Sequence, residues 1–215
     1  MNFQDPKQYE EEFVNKVYDQ IAPHFSHTRF CPWPSVQNWV NSLEPYSVIL
    51  DIGCGNGRNL GINKSIYNIG TDYSFALCKI AKSRNFQIFR ADGLKIPLRS
   101  GVFDHIIQIA VIHHFATENR RIQCLKEIAR LLKINGTAYV TAWSTKQLKK
   151  TYTEQDQLVP WHVRKDFDKN EPEFERFYHL FVKGEFAILI SQIPELELIS
   201  EKWVGGNWEV ELKRI

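Results

Sequence analysis

The segment that most constrains this chain is short: Ser47-Val48-Ile49-Leu50-Asp51, nearly continuous in apolar residues, runs straight into Gly53-Cys54-Gly55-Asn56-Gly57. A strand without polar alternation is buried on both faces, the habit of a parallel sheet covered by helices. Glycines at three alternate positions let the chain turn from strand into helix while its backbone approaches a ligand closely. The loop departs from the dinucleotide pattern G-x-G-x-x-G because Arg58 stands where the third glycine belongs, so a pyrophosphate is the poorer fit.

Similar apolar runs recur at 67–72, 86–92, 103–109 and 137–143. Segments of helical periodicity separate them, notably 74–81 and 118–132, the latter with Ile122, Leu125, Ile128, Ala129 and Leu132 on one face. Alternating strand and helix is the pattern of a doubly wound α/β domain. The ends of the chain differ. Tyr9, Phe13, Val17 and Ile21 recur at steps of four and predict a helix over 6–20. A proline-punctuated loop over 22–34 follows, then a short helix around Val36, Trp39, Val40 and Leu43. Residues 146–172 are polar and lysine-rich and read as a loop or insertion, whereas 177–193 read as a helix. Two closing strands near 196–203 and 208–213 flank Gly205-Gly206-Asn207, a hairpin turn. With 215 residues, 43% hydrophobic and 24% charged, the expectation is one domain. Its parts are a helical or lid segment (1–45), a cofactor-binding core (46–143), a variable polar segment (144–175) and a closing helix with antiparallel strands (176–215).

Three carboxylates, Asp51, Asp72 and Asp92, close successive strands. Strand carboxyl ends border the ligand crevice of an open parallel sheet, so the three face one site. Asp72, 19 residues after Gly53, is placed for ribose hydroxyls, and Asp92 for an adenine amino group with Gly93 leaving room for the ring. Asp51 is placed for an ammonium, directly or through water. A single aspartate of this kind is an ordinary turn residue; three in register with a glycine loop point to a ligand. An acidic rim repels a diphosphate and tolerates a sulfonium. The implied cofactor is S-adenosyl-L-methionine, with Tyr18, Tyr73 and Ala110 expected beside it. The implied fold is α/β: a Rossmann-like class I methyltransferase with a seven-stranded, mostly parallel sheet and helices on both faces.

A narrower resemblance rests on Ile21-Ala22-Pro23-His24-Phe25-Ser26, Thr28-Arg29, Pro32-Trp33-Pro34, Ala91-Asp92-Gly93-Leu94 and Ala110-Val111-Ile112-His113-His114. It extends through Leu158-Val159-Pro160-Trp161, Tyr178-His179-Leu180-Phe181 and Gly206-Asn207-Trp208. In these motifs the chain resembles the eukaryotic wobble-uridine tRNA methyltransferases, which esterify the carboxymethyl group of 5-carboxymethyluridine at position 34. The resemblance implies an in-line attack of a carboxylate oxygen on a methyl carbon. A carboxylate is already ionised at neutral pH, so placement rather than a general base is required. Arg29 is the expected cation for that carboxylate, since guanidinium offers a bidentate fork, although a helix-end or surface arginine is the plain alternative. His113 and His114 follow the fourth strand, where the transferable methyl is expected; His114 is favoured as the one facing the acceptor, with His113 supporting. Trp33 and Trp161 are candidates for stacking on an unstacked base, and Lys149 and Lys150 for phosphate contacts.

The bulk properties narrow the partners. Twenty-seven basic against 25 acidic residues give a net charge of +2, so no overall field announces a polyanion. The four cysteines lie far apart, and His24, His27, His113 and His114 have no carboxylate or cysteine at ligand spacing, so no metal is expected. The segment from Met1 to Pro6 lacks a basic-then-apolar signal, and no apolar run approaches a membrane span, so the cytoplasm, with the nucleus as a second address, is expected. The resemblance implies two partners: a tRNA anticodon loop and a small zinc-binding activator protein. The activator would form a heterodimer through the exposed edge strand 86–90, between Phe86 and Arg90.

Overall fold

The computed structural model describes residues 5–215; residues 1–4 of the N-terminal segment lie outside the described residues. Nine strands are formed: β1 (Val48–Ile52), β2 (Tyr67–Asp72), β3 (Gln87–Arg90), β4 (Phe103–Ile109), β5 (Leu132–Trp143), β6 (Asp156–His162), β7 (Glu173–His179), β8 (Leu196–Val204) and β9 (Asn207–Arg214). Seven of them make one sheet in the order β3-β2-β1-β4-β5-β9-β8. Pairings from β3 to β5 are parallel, and β9 runs antiparallel to both neighbours. The turn between β8 and β9 is Gly205-Gly206, with φ of 56° and 93°, the left-handed pair that a two-residue hairpin requires.

Successive residues of the central strands go to opposite sides. Leu50, Ile52, Ile106, Ala138 and Val140 join the large core. That core includes Ile122, Leu125 and Ile128 of α5 (Glu118–Leu131) and Phe186, Leu189 and Ile190 of α6 (Glu185–Ile190). Ile49, Ile107 and Ile109 face the other way, onto Val36 and Val40 of α3 (Pro34–Asn41). The remaining helices are α1 (Pro6–Glu10), α2 (Lys16–Thr28) and α4 (Phe75–Ser83).

Two expectations from the sequence are corrected. The helix starting at Pro6 runs on through a π-helical turn (Glu11–Asn15) and α2 to Thr28, so 22–28 are not loop. Pro23 removes one backbone donor, yet Ile21, Ala22, His24 and Ser26 around it are buried, and tertiary packing outweighs the lost bond. Residues 146–172 are likewise not loop throughout. β6 and β7 form a separate antiparallel pair, so the helix expected over 177–193 begins only at Glu185, after Gly184 with φ of 80°. Val159, Trp161, Arg176 and Tyr178 alternate with Leu158, Pro160, Phe177 and His179, and the polar residues in this series concealed a two-sided strand pair. Pro160 is tolerated because a two-stranded ribbon consists only of edges.

This ribbon roofs the carboxyl ends of the main strands, held by apolar contacts to the N-terminal helix. Val14 packs with Phe177, and Val17 and Ile21 pack with Trp161. Polar clamps lock the same elements. Glu10 is buried and accepts from the Ala116 backbone N–H at 2.8 Å and from Arg120 Nε and Nη2 at 2.7 and 2.6 Å. His179 sits between Asp156 and Glu185, at 2.7 Å from each.

Removing one partner of the Glu10 clamp leaves a desolvated arginine and an orphaned backbone donor. Glu10→Ala should therefore lower the unfolding free energy by about 3 kcal/mol, and adding Arg120→Ala should cost little more in a urea double-mutant cycle. Burial works against charge on His179, but its two carboxylates outweigh that and hold its pKa above the ordinary 6.5. Glu185, despite burial, is held below 4.5 by the imidazolium. The His179 contribution to stability is thus complete below about pH 6.5 and lost as pH rises through the raised folded value; the Glu185 contribution is lost as pH falls through its depressed one. Thermal melts of His179→Gln should lose the wild-type decline on the alkaline side.

Candidate active site

The glycine loop is pinned from below. Gly53 and Cys54 both donate to the Thr71 carbonyl, at 2.7 and 2.9 Å, tying the end of β1 to β2. Gly53 adopts φ of 74°, and a Cβ there would collide with Val111, which the left-handed Ala110 (φ 60°) delivers over the loop. Asp72 accepts from Gly55 N–H through Oδ2 and from Ser74 N–H through Oδ1, both at 2.8 Å. Burial pushes its pKa up to about 6, against the pull of those two amides. Each oxygen keeps a second lone pair, so Asp72 can shape the loop and still accept a hydroxyl. Asp92 turns the chain after β3 by accepting from Leu94 N–H at 2.9 Å.

Asp72, Tyr73, Asp92, Gly93, Gly53, Gly55 and Ala110 all line one cleft of about 1000 Å³. Asp51 does not. It is wholly buried beneath the loop, neither carboxylate oxygen meets a donor in hydrogen-bond geometry among the described residues, and burial lifts its pKa to about 7 against the pull of Arg58. The structure thus does not bring Asp51, expected to reach an ammonium directly or through water, to the cleft wall with Asp72 and Asp92.

The opposite wall comes from α2, the 3₁₀ turn Ile112–His114 and the β6/β7 ribbon. His114 is buried and neutral: burial drops its pKa to about 3. Its Nδ1 lies 2.7 Å from the Phe177 carbonyl and so carries the proton, leaving Nε2 to accept from the Tyr18 hydroxyl at 2.9 Å. The hydroxyl of Tyr178 is 3.5 Å from that of Tyr18. His113, expected alongside, is turned into the core. It accepts from Trp143 N–H at 3.0 Å, stacks on Tyr178 with centroids 4.6 Å apart, and does not border the cleft. Adjacent residues in a tight turn diverge, and the sheet side claims this ring.

Arg29, Trp33 and Trp161 join Tyr18 and His114 on the cleft wall. Arg29 is exposed at the mouth, with its guanidinium 5.3 Å from the Trp161 centroid. Lys149 and Lys150 are exposed beyond the rim and do not line the cleft. Residues given no site role from the sequence also border it: Arg58, its guanidinium 5.4 Å from the Trp33 centroid, Arg176, Tyr178, Trp143, Asn207 and Glu209. For Arg176 a signal existed, since Phe174, Arg176 and Tyr178 occupy one face of an alternating run; reading 177–193 as helix hid it. Among the described residues, no group of three or more His, Cys, Asp or Glu side chains is arranged to hold a metal. No helix there is long and apolar enough to cross a membrane.

Known proteins resemble this chain in sequence and in fold. Residues 50–140 match the family model of a methyltransferase domain. The chain is 40% identical to the tRNA (carboxymethyluridine(34)-5-O)-methyltransferase of Schizosaccharomyces pombe, with 94% of this chain and 96% of that protein covered. It is 36% identical to the enzyme of the same name from Xenopus tropicalis, over 96% of this chain and 41% of that protein. The chain spans 41 to 45% of the length of the Xenopus, Macaca and mouse relatives it matches. Among solved structures, a SAM-dependent methyltransferase from Methanosarcina mazei superposes with a TM-score of 0.68 at 18% identity, covering 86% of this chain and 99% of that one. A Haloferax volcanii methyltransferase, solved in complex with the Trm112 methyltransferase activator, gives 0.68 at 12% identity, covering 94% and 98%. These structures establish the Rossmann-like class I fold. The near end-to-end match to the Schizosaccharomyces protein goes further: the chain belongs to the tRNA (carboxymethyluridine(34)-5-O)-methyltransferase family.

Proposed function

We propose that this chain transfers a methyl group from S-adenosyl-L-methionine to the carboxylate of 5-carboxymethyluridine at the wobble position of tRNA, giving the methyl ester. One observation carries the reading: a single cleft is lined both by the carboxylates Asp72 and Asp92 and by Arg29, Arg176, Trp33 and Trp161. A cationic donor is favoured beside the aspartates and an anionic acceptor beside Arg29 and Arg176. When bound, the cofactor supplies an activated methyl on a positively charged sulfur. Asp72, Asp92 and the glycine loop would hold it: the loop backbone leaves room that a Cβ would fill, and both aspartates keep acceptor capacity toward the cleft.

His114 is a positioning residue in this reading. Neutral, with both ring nitrogens engaged, it has no proton to exchange and fixes the Tyr18 hydroxyl. No base is needed, since the acceptor arrives ionised. The guanidiniums of the far wall orient the acceptor anion, and Trp33 and Trp161 offer faces for an unstacked base. Lys149 and Lys150, outside the rim, suit the phosphates of an anticodon stem. The edge position of β3 is where a zinc-binding activator would pair, a reading supported by the fold shared with the Haloferax methyltransferase solved with its activator. A tRNA substrate would place the protein in the cytoplasm or nucleus.

The direct test is nucleoside mass spectrometry of tRNA incubated with the chain, its activator and cofactor. Carboxymethyluridine should fall and its methyl ester rise in equal amount; label appearing only in RNA-free small molecules would overturn the reading. Proton linkage gives an independent check. Asp51 and Asp72, with pKa values raised to about 7 and about 6, are partly protonated near neutrality. A cationic ligand favours their charged forms, so binding should release protons and affinity should increase with pH across that interval. Calorimetry in buffers of different ionisation enthalpy should register the release, and Asp72→Asn should diminish it.

A further inference from the structure

Two arginines are buried among the described residues, and they are treated differently. Arg121 donates to the Phe115 carbonyl at 3.0 Å and has Glu185 at 4.0 Å. Arg176, 5% exposed on the cleft face of β7, has no carboxylate within ion-pair distance among the described residues; its Nε, like that of Arg121, lacks a hydrogen-bond partner there. Its guanidinium is held by rings instead, 4.7 Å from the Trp161 centroid and 5.1 Å from that of Tyr178, with the hydroxyls of Tyr18 and Tyr178 beside it. The Tyr18 proton is spent on His114 Nε2, so the oxygen lone pairs of Tyr18 remain for donors such as Arg176. A guanidinium stays charged at any accessible pH, and desolvating one without a counter-ion is costly. A site that fixes such a cation among rings and hydroxyls at a cleft wall, with no carboxylate to balance it, is built for an anion from outside.

The geometry points to Arg176, rather than Arg29, as the group that grips the acceptor carboxylate, with Arg29 meeting backbone phosphate at the mouth. This rests on the substrate proposed above. Both guanidiniums lie against the Trp161 ring, Arg176 buried and Arg29 at the exposed rim. A carboxymethyl group, the slimmest part of the acceptor, reaches the inner position beside His114, Tyr18 and the cofactor wall. A phosphate, bulky and tied to the RNA chain, stays at the outer one. A planar fork also explains why a carboxylate would be selected over its amide, which presents one acceptor oxygen and two repelled N–H donors.

The test uses the chain with its activator and two anticodon stem-loops, one bearing carboxymethyluridine and one carbamoylmethyluridine at the wobble position. The wild-type protein should bind the carboxylate form at least about tenfold more tightly. Arg176→Gln should abolish that preference and lower methyl transfer by about a hundredfold while cofactor affinity holds; Arg176→Lys should recover part of both. Arg29→Gln should weaken both stem-loops alike and keep the preference. Equal wild-type affinity for the two stem-loops overturns the assignment whether or not the variants fold, as does a preference that survives in Arg176→Gln or disappears in Arg29→Gln. Methyl ester formed without carboxylate preference would sink the subsite and leave the proposed reaction standing. Carboxylate-selective binding without methyl ester would sink the reaction and leave the subsite.

Discussion

The imidazole of His114 joins three parts of the molecule that the main sheet does not itself connect. It sits at the end of β4, receives the hydroxyl of Tyr18 from the N-terminal helix and donates to the Phe177 carbonyl of the ribbon. Each of those elements is amphipathic and could pack against the sheet in several registers; a buried hydrogen-bonded ring with fixed tautomer admits one. Burial keeps the ring neutral, and neutrality makes the two bonds directional, one given and one taken. The roof over the cleft, the place of Tyr18 and the orientation of Arg176 above it all follow from that arrangement.

Within the cleft, electrostatics would distinguish the proposed donor from the proposed acceptor. A reaction that joins an anion to a sulfonium consumes both charges and yields neutral products, so its transition state carries less separated charge than the reactants. A desolvated site with fixed dipoles suits it, since less solvation is lost on the way up than in water. Asp51 and Asp72 are costly to ionise on their own, and a cation in the cleft relieves that cost. Arg176 is costly on its own for the opposite reason.

The parts of the fold legible in the sequence are those governed by local rules. Asp51 to Gly57 announced its turn because three left-handed or crowded positions exclude side chains, and Gly205-Gly206 announced a hairpin for the same reason. The central strands were legible because burial on both faces removes polar residues. Where tertiary packing overrides local preference the sequence misleads. Pro23 argues for a loop and lies in a helix, because the residues around it are claimed by the core. The ribbon is hidden because its cleft face carries Arg176, a charge where alternation calls for an apolar residue. The direction of a single side chain is also a tertiary property. His113 and His114 are indistinguishable in sequence, and Asp51 looks equivalent to Asp72, until the sheet sends one of each pair inward.

The division of the cleft between core and additions explains where specificity resides. The methyltransferase family model covers residues 50–140, which supply the glycine loop, Asp72, Asp92 and His114. Tyr18, Arg29, Trp33, Trp161, Arg176 and Tyr178 all fall outside that span, on the N-terminal helix and loop and on the ribbon. The shared core can thus be held constant by a common cofactor while the flanking segments are shaped by the acceptor. Similarity to the Schizosaccharomyces relative runs through both parts, covering 94% of the chain. The core alone leaves the wall opposite the aspartates incomplete, since of that wall it supplies only the turn that carries His114. The match therefore takes in helix, loop and ribbon together, and these close the cleft only in combination with the core.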